Sequence, residues 1–272
     1  MKNRMSSAVC FSNIGKRPNH EDNFLINGRY LQADEQSRMR DGRSFFLRDV
    51  SDEKVCMYAV SDGMGGHNAG ETASRICVER LSQVHGTLQS CTGVRQAVEI
   101  IQNEIAGINR TICRLSRTNE QYQGMGATLV LLLICREECA VLNIGDSKAL
   151  YYDGHNLEQI TKDHTEGQRM LDLGLLTRKE LQDFPARKHL NRYFGCDREG
   201  YVLQADEYYP EKKDGIFLLC SDGITDDVPE EQFLKIISTQ DNLEEAGRLL
   251  TDLAVKADHA DNATIIMMKP GG

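Results

Sequence analysis

Apolar residues fall along this chain in two distinct patterns. Between positions 94 and 115 they recur at 94, 98, 101, 105, 108, 112 and 115. Those alternating steps of four and three lay one continuous stripe along a helix over Val94–Leu115. Without strong charge pairing beside the stripe, packing on a sheet fits better than a coiled coil. A second helix is predicted over Gly70–Val84, straight after a glycine-rich turn. A third covers Asn242–Ala257, where Leu243, Ala246, Leu249, Leu250 and Leu253 share a face. The other pattern is short apolar and β-branched runs bounded by Gly, Asn or Asp. These predict strands at Ala8–Asn13, Asn23–Asn27, Val55–Ser61, Ala127–Cys135, Ala140–Gly145, Ala149–Tyr152, Tyr201–Ala205, Gly215–Cys220 and Ala263–Met268. Asp153-Gly154, between two such runs, signals a hairpin turn. Strands in meanders with helices grouped between them predict an α+β fold, helices covering β-sheets, rather than βαβ alternation. The polar, basic-rich stretch at about 28–54 reads as a surface excursion.

Composition narrows the class. At 272 residues, 40% hydrophobic and 27% charged, the chain is ordinary globular protein. With five prolines, no repeat and no linker-like tract, residues 1–272 read as a single domain. Acidic residues outnumber basic ones 41 to 32, for a net charge of −9, and no basic run offsets them, so nucleic acid is not an expected partner. The longest apolar run, Leu129–Cys135, is far short of the roughly 20 residues a spanning helix needs. The opening MKNRMSSAVCF shows no signal-peptide core. No membrane partner and a cytoplasmic location are therefore expected. Nine cysteines, an odd number without CxxC pairs, suit reduced thiols packed as small hydrophobes. Cys135 and Cys139 lie close in sequence, but no second pair completes a zinc site.

Candidate chemistry sits where strands end. Ser61-Asp62-Gly63, Gly145-Asp146-Ser147 and Ser221-Asp222-Gly223 each close an apolar run. Glu21-Asp22 and Asp261-Asn262 each precede one. Any one Asp-Gly is explained by a turn or a helix cap. Five acidic strand ends in one chain suggest carboxylates converging with backbone carbonyls on hard divalent cations. Four glycines between Asp62 and Gly70 let backbone approach a metal or phosphate closely. That loop matches neither the phosphate-cradling GxxxxGK[ST] nor the dinucleotide GxGxxG pattern.

In this order the residues resemble the metal-dependent protein phosphatases of the PP2C (PPM) family, bacterial branch, from about Ser7 to Lys269. The pieces are Gly15-Lys16-Arg17 with Asn19-His20-Glu21-Asp22-Asn23, Val60-Ser61-Asp62-Gly63-Met64-Gly65-Gly66-His67, and Met125-Gly126-Ala127-Thr128-Leu129. They continue with Asn143-Ile144-Gly145-Asp146-Ser147, Thr161-Lys162-Asp163-His164-Thr165, Leu218–Gly223 and Asp261-Asn262-Ala263-Thr264. The resemblance implies a four-layer α-β-β-α sandwich, two central antiparallel sheets flanked by helices, with a flap at about 163–194. It implies hydrolysis of phosphoserine and phosphothreonine on proteins, opposed by a Ser/Thr kinase, by a monomer acting in signalling. It also implies two Mn²⁺ or Mg²⁺ ions: Asp62 bridges them, the Gly63 carbonyl binds one, and Asp222 and Asp261 hold the other. Glu21 and Asp22 grip metal-bound waters, Asp146 with Asp222 holds a third, weaker ion, and Arg17 clamps the substrate phosphate.

Plainer readings stand beside these. Arg17 alone is an exposed loop charge, Asp146 a hairpin turn, and His67 either a proton donor or a helix-start residue. Met64 occupies the place where eukaryotic relatives carry a histidine thought to protonate the leaving alkoxide, which opens the identity of the general acid. Lys148 replaces a common arginine after Gly-Asp-Ser, and Ala260 another before Asp-Asn. Rival functions are a non-catalytic phosphoprotein-binding module, which would lack one of the carboxylates, and hydrolysis of a small phosphorylated metabolite. A narrower one is dephosphorylation of a regulator of transcription or sporulation.

Overall fold

Runs that are apolar at every position, rather than at every second one, form the middle of the molecule. The computed structural model describes residues 5–39, 44–65, 69–197, 200–211, 214–240 and 242–271. The strands are β1 (Ser6–Asn13), β2 (Asn23–Ile26), β3 (Arg29–Tyr30), β4 (Phe45–Ser51), β5 (Val55–Ser61), β6 (Gly63–Met64), β7 (Gly126–Ala127), β8 (Leu129–Cys135), β9 (Glu138–Ile144), β10 (Lys148–Tyr152), β11 (Leu157–Gln159), β12 (Asp206–Tyr208), β13 (Ile216–Cys220) and β14 (Ala263–Lys269). The helices are α1 (Ala33–Met39), α2 (Ala69–Leu88), α3 (Val94–Thr118), α4 (Glu166–Asp172), α5 (Arg178–Leu181), α6 (Asp222–Thr225), α7 (Glu230–Thr239) and α8 (Leu243–Ala254).

Two six-stranded antiparallel sheets result. The first runs β11-β10-β13-β14-β1-β4 and the second β12-β9-β8-β5-β2-β3, while β6 and β7 pair alongside. Side chains alternate across each strand, so one parity faces each way. In β5, Cys56, Tyr58 and Val60 point into the core between the sheets, and Val55, Met57 and Ala59 point to α2 and α3. In β14, Ile266 and Met268 face that same inter-sheet core, while Ala263, Ile265 and Met267 face the α7 and α8 side with Phe233, Ile237 and Leu250. A strand buried on both faces reads as continuous apolar sequence, which is why these runs stood out. The layers are therefore α-β-β-α, the four-layer sandwich that the resemblance implied.

The helical stripe is used as written. Val94, Val98, Ile101, Ile105, Ile108 and Ile112 of α3 are all buried, and the helix runs three residues past Leu115. Asp153 turns the expected hairpin, its Oδ1 accepting from the backbone N–H groups of His155 and Asn156, and Tyr152 pairs with Leu157. All nine cysteines are buried and none is in a disulfide, and burial pushes the Cys77 thiol up to about 12. Among the described residues no helix is long and apolar enough to cross a membrane.

Two expectations differ from what the chain forms. Tyr201–Ala205 is not a strand: the ladder belongs to Asp206–Tyr208, against Val141–Asn143. The apolar positions Leu203 and Ala205 are buried beside α3, where the Gln102 amide donates to the Ala205 carbonyl (2.9 Å) and accepts its N–H (3.0 Å). Side-chain hydrogen bonds have replaced the ladder. The 28–54 stretch also folds further than a surface excursion would, carrying β3, α1 and the edge strand β4. In β4, Phe45 and Leu47 pack on the inter-sheet core while Phe46 and Val50 are exposed.

Replacing Ile105 by Ala removes a fully buried side chain between α3 and the second sheet. Urea unfolding is expected to show a loss of about 2–5 kcal/mol. Asn103→Gln, a change at an exposed position of the same helix, should stay within about 0.5 kcal/mol of the parent.

Candidate metal centre

Antiparallel register brings all five acidic strand ends to one edge of the sandwich. Asn23 of β2 pairs with Ser61 of β5, and Leu129 of β8 with Ile144 of β9. In the other sheet Cys220 pairs with Ile265, and Asn13 with Ala263. Glu21-Asp22, Asp62-Gly63, Gly145-Asp146, Asp222-Gly223 and Asp261-Asn262 lie one residue or so beyond these pairs. All therefore leave the sheets at the same rim.

Two glycines let the segments meet there. A Cβ on Gly63 would sit 2.1 Å from the Gly70 carbonyl oxygen and 2.7 Å from that of Glu21. A Cβ on Gly223 would sit 2.1 Å from the Asn262 carbonyl oxygen. Only a residue without a side chain permits either approach. The Glu21 carboxyl in turn lies against Gly70, at the start of α2.

Neutral side chains hold the acidic ones from behind. Thr128 accepts from the Asp62 N–H through Oγ1 (3.0 Å), and the same oxygen meets Ser147 Oγ at 2.7 Å. Asn262 accepts from the Glu21 N–H (2.7 Å) and donates to the carbonyls of Ile14 and Asn19. Ser221 Oγ donates to Asp22 Oδ2 (2.8 Å), while Asp22 Oδ1 is buried with no partner among the described residues. These supports escaped the sequence reading of the site. Their one signal was adjacency to the acidic residues, in Ser-Asp-Gly, Asp-Asn and Gly-Asp-Ser.

Arg17 reaches the site from the turn after β1, its guanidinium 2.5 Å from Asp261 Oδ2, with about half its side chain exposed. Asp146 and Asp222 look into a cavity of about 190 Å³ whose far wall includes Asp163, Thr165, Leu181 and Lys188. Lys188 crosses to Asp226, one helical turn beyond Asp222. So Arg17, Glu21, Asp22, Asp62, Gly63, Asp146, Asp222 and Asp261 gather at one rim, near enough for their charges to act on one another, and Asp146 and Asp222 line the cavity there. Met64 pairs with Gly126 from β6, its side chain against that glycine, and His67 lies outside the described residues. Among the described residues no three His, Cys, Asp or Glu side chains stand close enough to enclose an ion as they are, so coordination requires side chains to swing inward.

The electrostatics state the cost of this gathering. Burial, then Asp22, Asp222, Asp146 and Asp261, push the Asp62 carboxyl far above its usual range. Burial and like charges also raise Glu21, Asp22 and Asp146 to about 7, and Asp222 to about 6. An all-oxygen donor set that prefers protons to charge suits hard divalent cations, which would replace those protons.

A sign follows for stability without metal. A carboxyl whose pKa rises on folding stabilises the fold below its unfolded pKa, and that contribution is lost as pH rises through the folded value. For Glu21, Asp22 and Asp146 the loss begins near the ordinary carboxyl value of about 4, is still under way at pH 6.5 and is complete a little above pH 7. The melting temperature in chelator is therefore expected to fall between pH 6.5 and 8, and added Mn²⁺ should restore it. Starting at pH 6.5 limits the opposing contribution of His20 and His164, which burial holds neutral in the folded chain while the unfolded chain sheds their remaining protons. A melting temperature that rises over that interval in chelator contradicts this account of the cluster.

Residues 36–254 match the family described as protein phosphatase 2C. Over 210 residues, covering 77% of this chain and 82% of the relative, the sequence is 30% identical to the serine/threonine phosphatase stp of Listeria monocytogenes. The crystal structure of the serine/threonine phosphatase Stp1 from Staphylococcus aureus superposes with a TM-score of 0.79 at 26% identity, covering 97% of this chain and 95% of that one. The catalytic domain of the phosphatase PstP, solved in complex with two manganese ions, superposes with a TM-score of 0.73 at 26% identity, over 98% of this chain and 100% of that one. Fold, sequence and the clustered rim of carboxylates agree, and the chain belongs to the protein phosphatase 2C family, a family of enzymes.

Proposed function

We propose that this chain hydrolyses phosphoserine and phosphothreonine on proteins at a binuclear Mn²⁺ or Mg²⁺ centre. The convergence of six carboxylates and Arg17, from separate segments of the chain, on one rim carries the reading. The relatives named as serine/threonine phosphatases and the two manganese ions in the PstP structure support it. The donor set fits such ions: its oxygens are hard, Asp22 Oδ1 has no partner among the described residues, and Gly63 carries no side chain to screen its carbonyl.

Bound cations supply a water acidified towards neutrality and positive charge against the phosphate dianion. The protein residues do the rest. Asp62, the Gly63 carbonyl, Asp222 and Asp261 would hold the two ions, and Asp146 with Asp222 would hold a third, weaker one. Glu21 and Asp22 would accept hydrogen bonds from water in the site and orient it. Arg17 offers a planar fork to two phosphate oxygens, a geometry lysine lacks. Residues 163–194 act as a flap over the 190 Å³ cavity, and the whole chain works as one domain, a monomer in the cytoplasm opposed by a Ser/Thr kinase.

Asp62→Asn and Asp222→Asn are each expected to abolish hydrolysis of p-nitrophenyl phosphate and of a phosphothreonine peptide, with circular dichroism unchanged. Near-normal turnover with Mn²⁺ present refutes the site. Arg17→Ala should lose about 1–3 kcal/mol of transition-state stabilisation in kcat/KM on the phosphopeptide, the range for a charge-assisted contact. An unchanged kcat/KM removes Arg17 from the phosphate. Activity on small phosphate esters with none on any phosphoprotein would favour the metabolite reading.

A further inference from the structure

His164 is a buried histidine that the proposed chemistry leaves unused, 7% exposed, at the root of the 163–194 excursion. It binds the turn after β9 twice. Its own N–H donates to the Gly145 carbonyl (2.9 Å), and the Gly145 N–H donates to its ring Nδ1 (3.0 Å). An accepting Nδ1 places the ring proton on Nε2, which donates to Asp206 Oδ2 (3.0 Å), and Asp206 is also gripped by Arg192. On its other side His164 accepts from the Asn191 N–H (2.9 Å), beside the bridge between Thr165 and Leu190 that closes the excursion's base. One residue thus joins the entry and exit of the excursion, β12 and the Gly145 turn.

That turn has little freedom of its own. Gly145 has φ +99°, and a Cβ there would lie 2.6 Å from Thr128 Cγ2. The next residue is Asp146, and the one after, Ser147, shares Thr128 Oγ1 with the Asp62 N–H. A continuous hydrogen-bonded path therefore runs from the excursion's base through His164, Gly145–Ser147 and Thr128 to Asp62. We propose that His164 is a positioning residue that ties the root of the 163–194 flap to the Gly145–Asp146 turn and so holds Asp146 facing the carboxylate cluster. Substrate-driven movement of the flap would reach the metal ligands along this tie. The inference rests on the reading of Asp146 as a ligand.

Two substitutions separate the tie from mere filling of space. His164→Gln keeps the volume and a polar end for Asp206 but puts no acceptor where Nδ1 stands, whereas His164→Asn puts its amide oxygen there. In the metal-free protein, NMR should show the Gly145 amide exchanging about tenfold faster or more in the Gln variant. Mn²⁺ titration followed by EPR should show the weakest site shifted about tenfold, the usual scale for lost support behind a ligand. The Asn variant should restore both. Parent-like Gly145 exchange in His164→Gln, or an Asn variant as impaired as the Gln one, overturns the tie. An Asp146→Asn protein whose Mn²⁺ titration equals the parent's instead overturns the ligand reading beneath it, while Gly145 exchange still decides the tie.

Discussion

Like charge in a confined space is the constraint on which this molecule turns. Two carboxylates about 4 Å apart at a protein rim repel by about 4 kcal/mol, and here six gather at one rim. No polypeptide gathers such a set for its own stability. The raised pKa values of Glu21, Asp22, Asp146 and Asp222 show where the conflict lies: burial and neighbouring charge both favour a proton. What resists the repulsion is the twelve-stranded double sheet behind. Its register sets five strand ends level, and its two outer helical layers close the remaining apolar faces. The backbone then gives no room to splay, because Gly63 and Gly223 are already in contact with the segments across from them.

How much of this was legible in the sequence depended on whether the signal was local. The doubly buried strands announced themselves because neither face offers a polar position, and the α3 stripe because its period is unbroken over seven apolar residues. The acidic strand ends stood out only collectively. Strand β4 was hidden because an edge strand shows one buried face inside a basic stretch, and Phe46 and Val50 on its outer side blurred the alternation. Tyr201–Ala205 failed in the opposite sense: its buried positions are real, but the Gln102 amide, about one hundred residues away, satisfies the backbone that a ladder would have used.

The supporting residues around the site were invisible for a related reason. Thr128, Ser221 and Asn262 are common polar residues, and nothing in their type marks them as holding Asp62, Asp22 and Glu21. Their importance lies in pairs formed across 66, 199 and 241 positions of chain. Types of side chain pointed to the chemistry, whereas the geometry that makes it workable came only with tertiary contact.

Asp261 shows how charge and substrate binding interlock under the proposed function. As the chain stands, its Oδ2 is held by Arg17. A cation arriving at Asp222 and Asp261 would compete for that oxygen and weaken the grip on the guanidinium. Arg17 is half-exposed at the mouth of the cleft, so once loosened it can swing to a phosphate with little packing to break. Occupancy by metal and readiness for phosphate then rise together, since the same carboxylate restrains both.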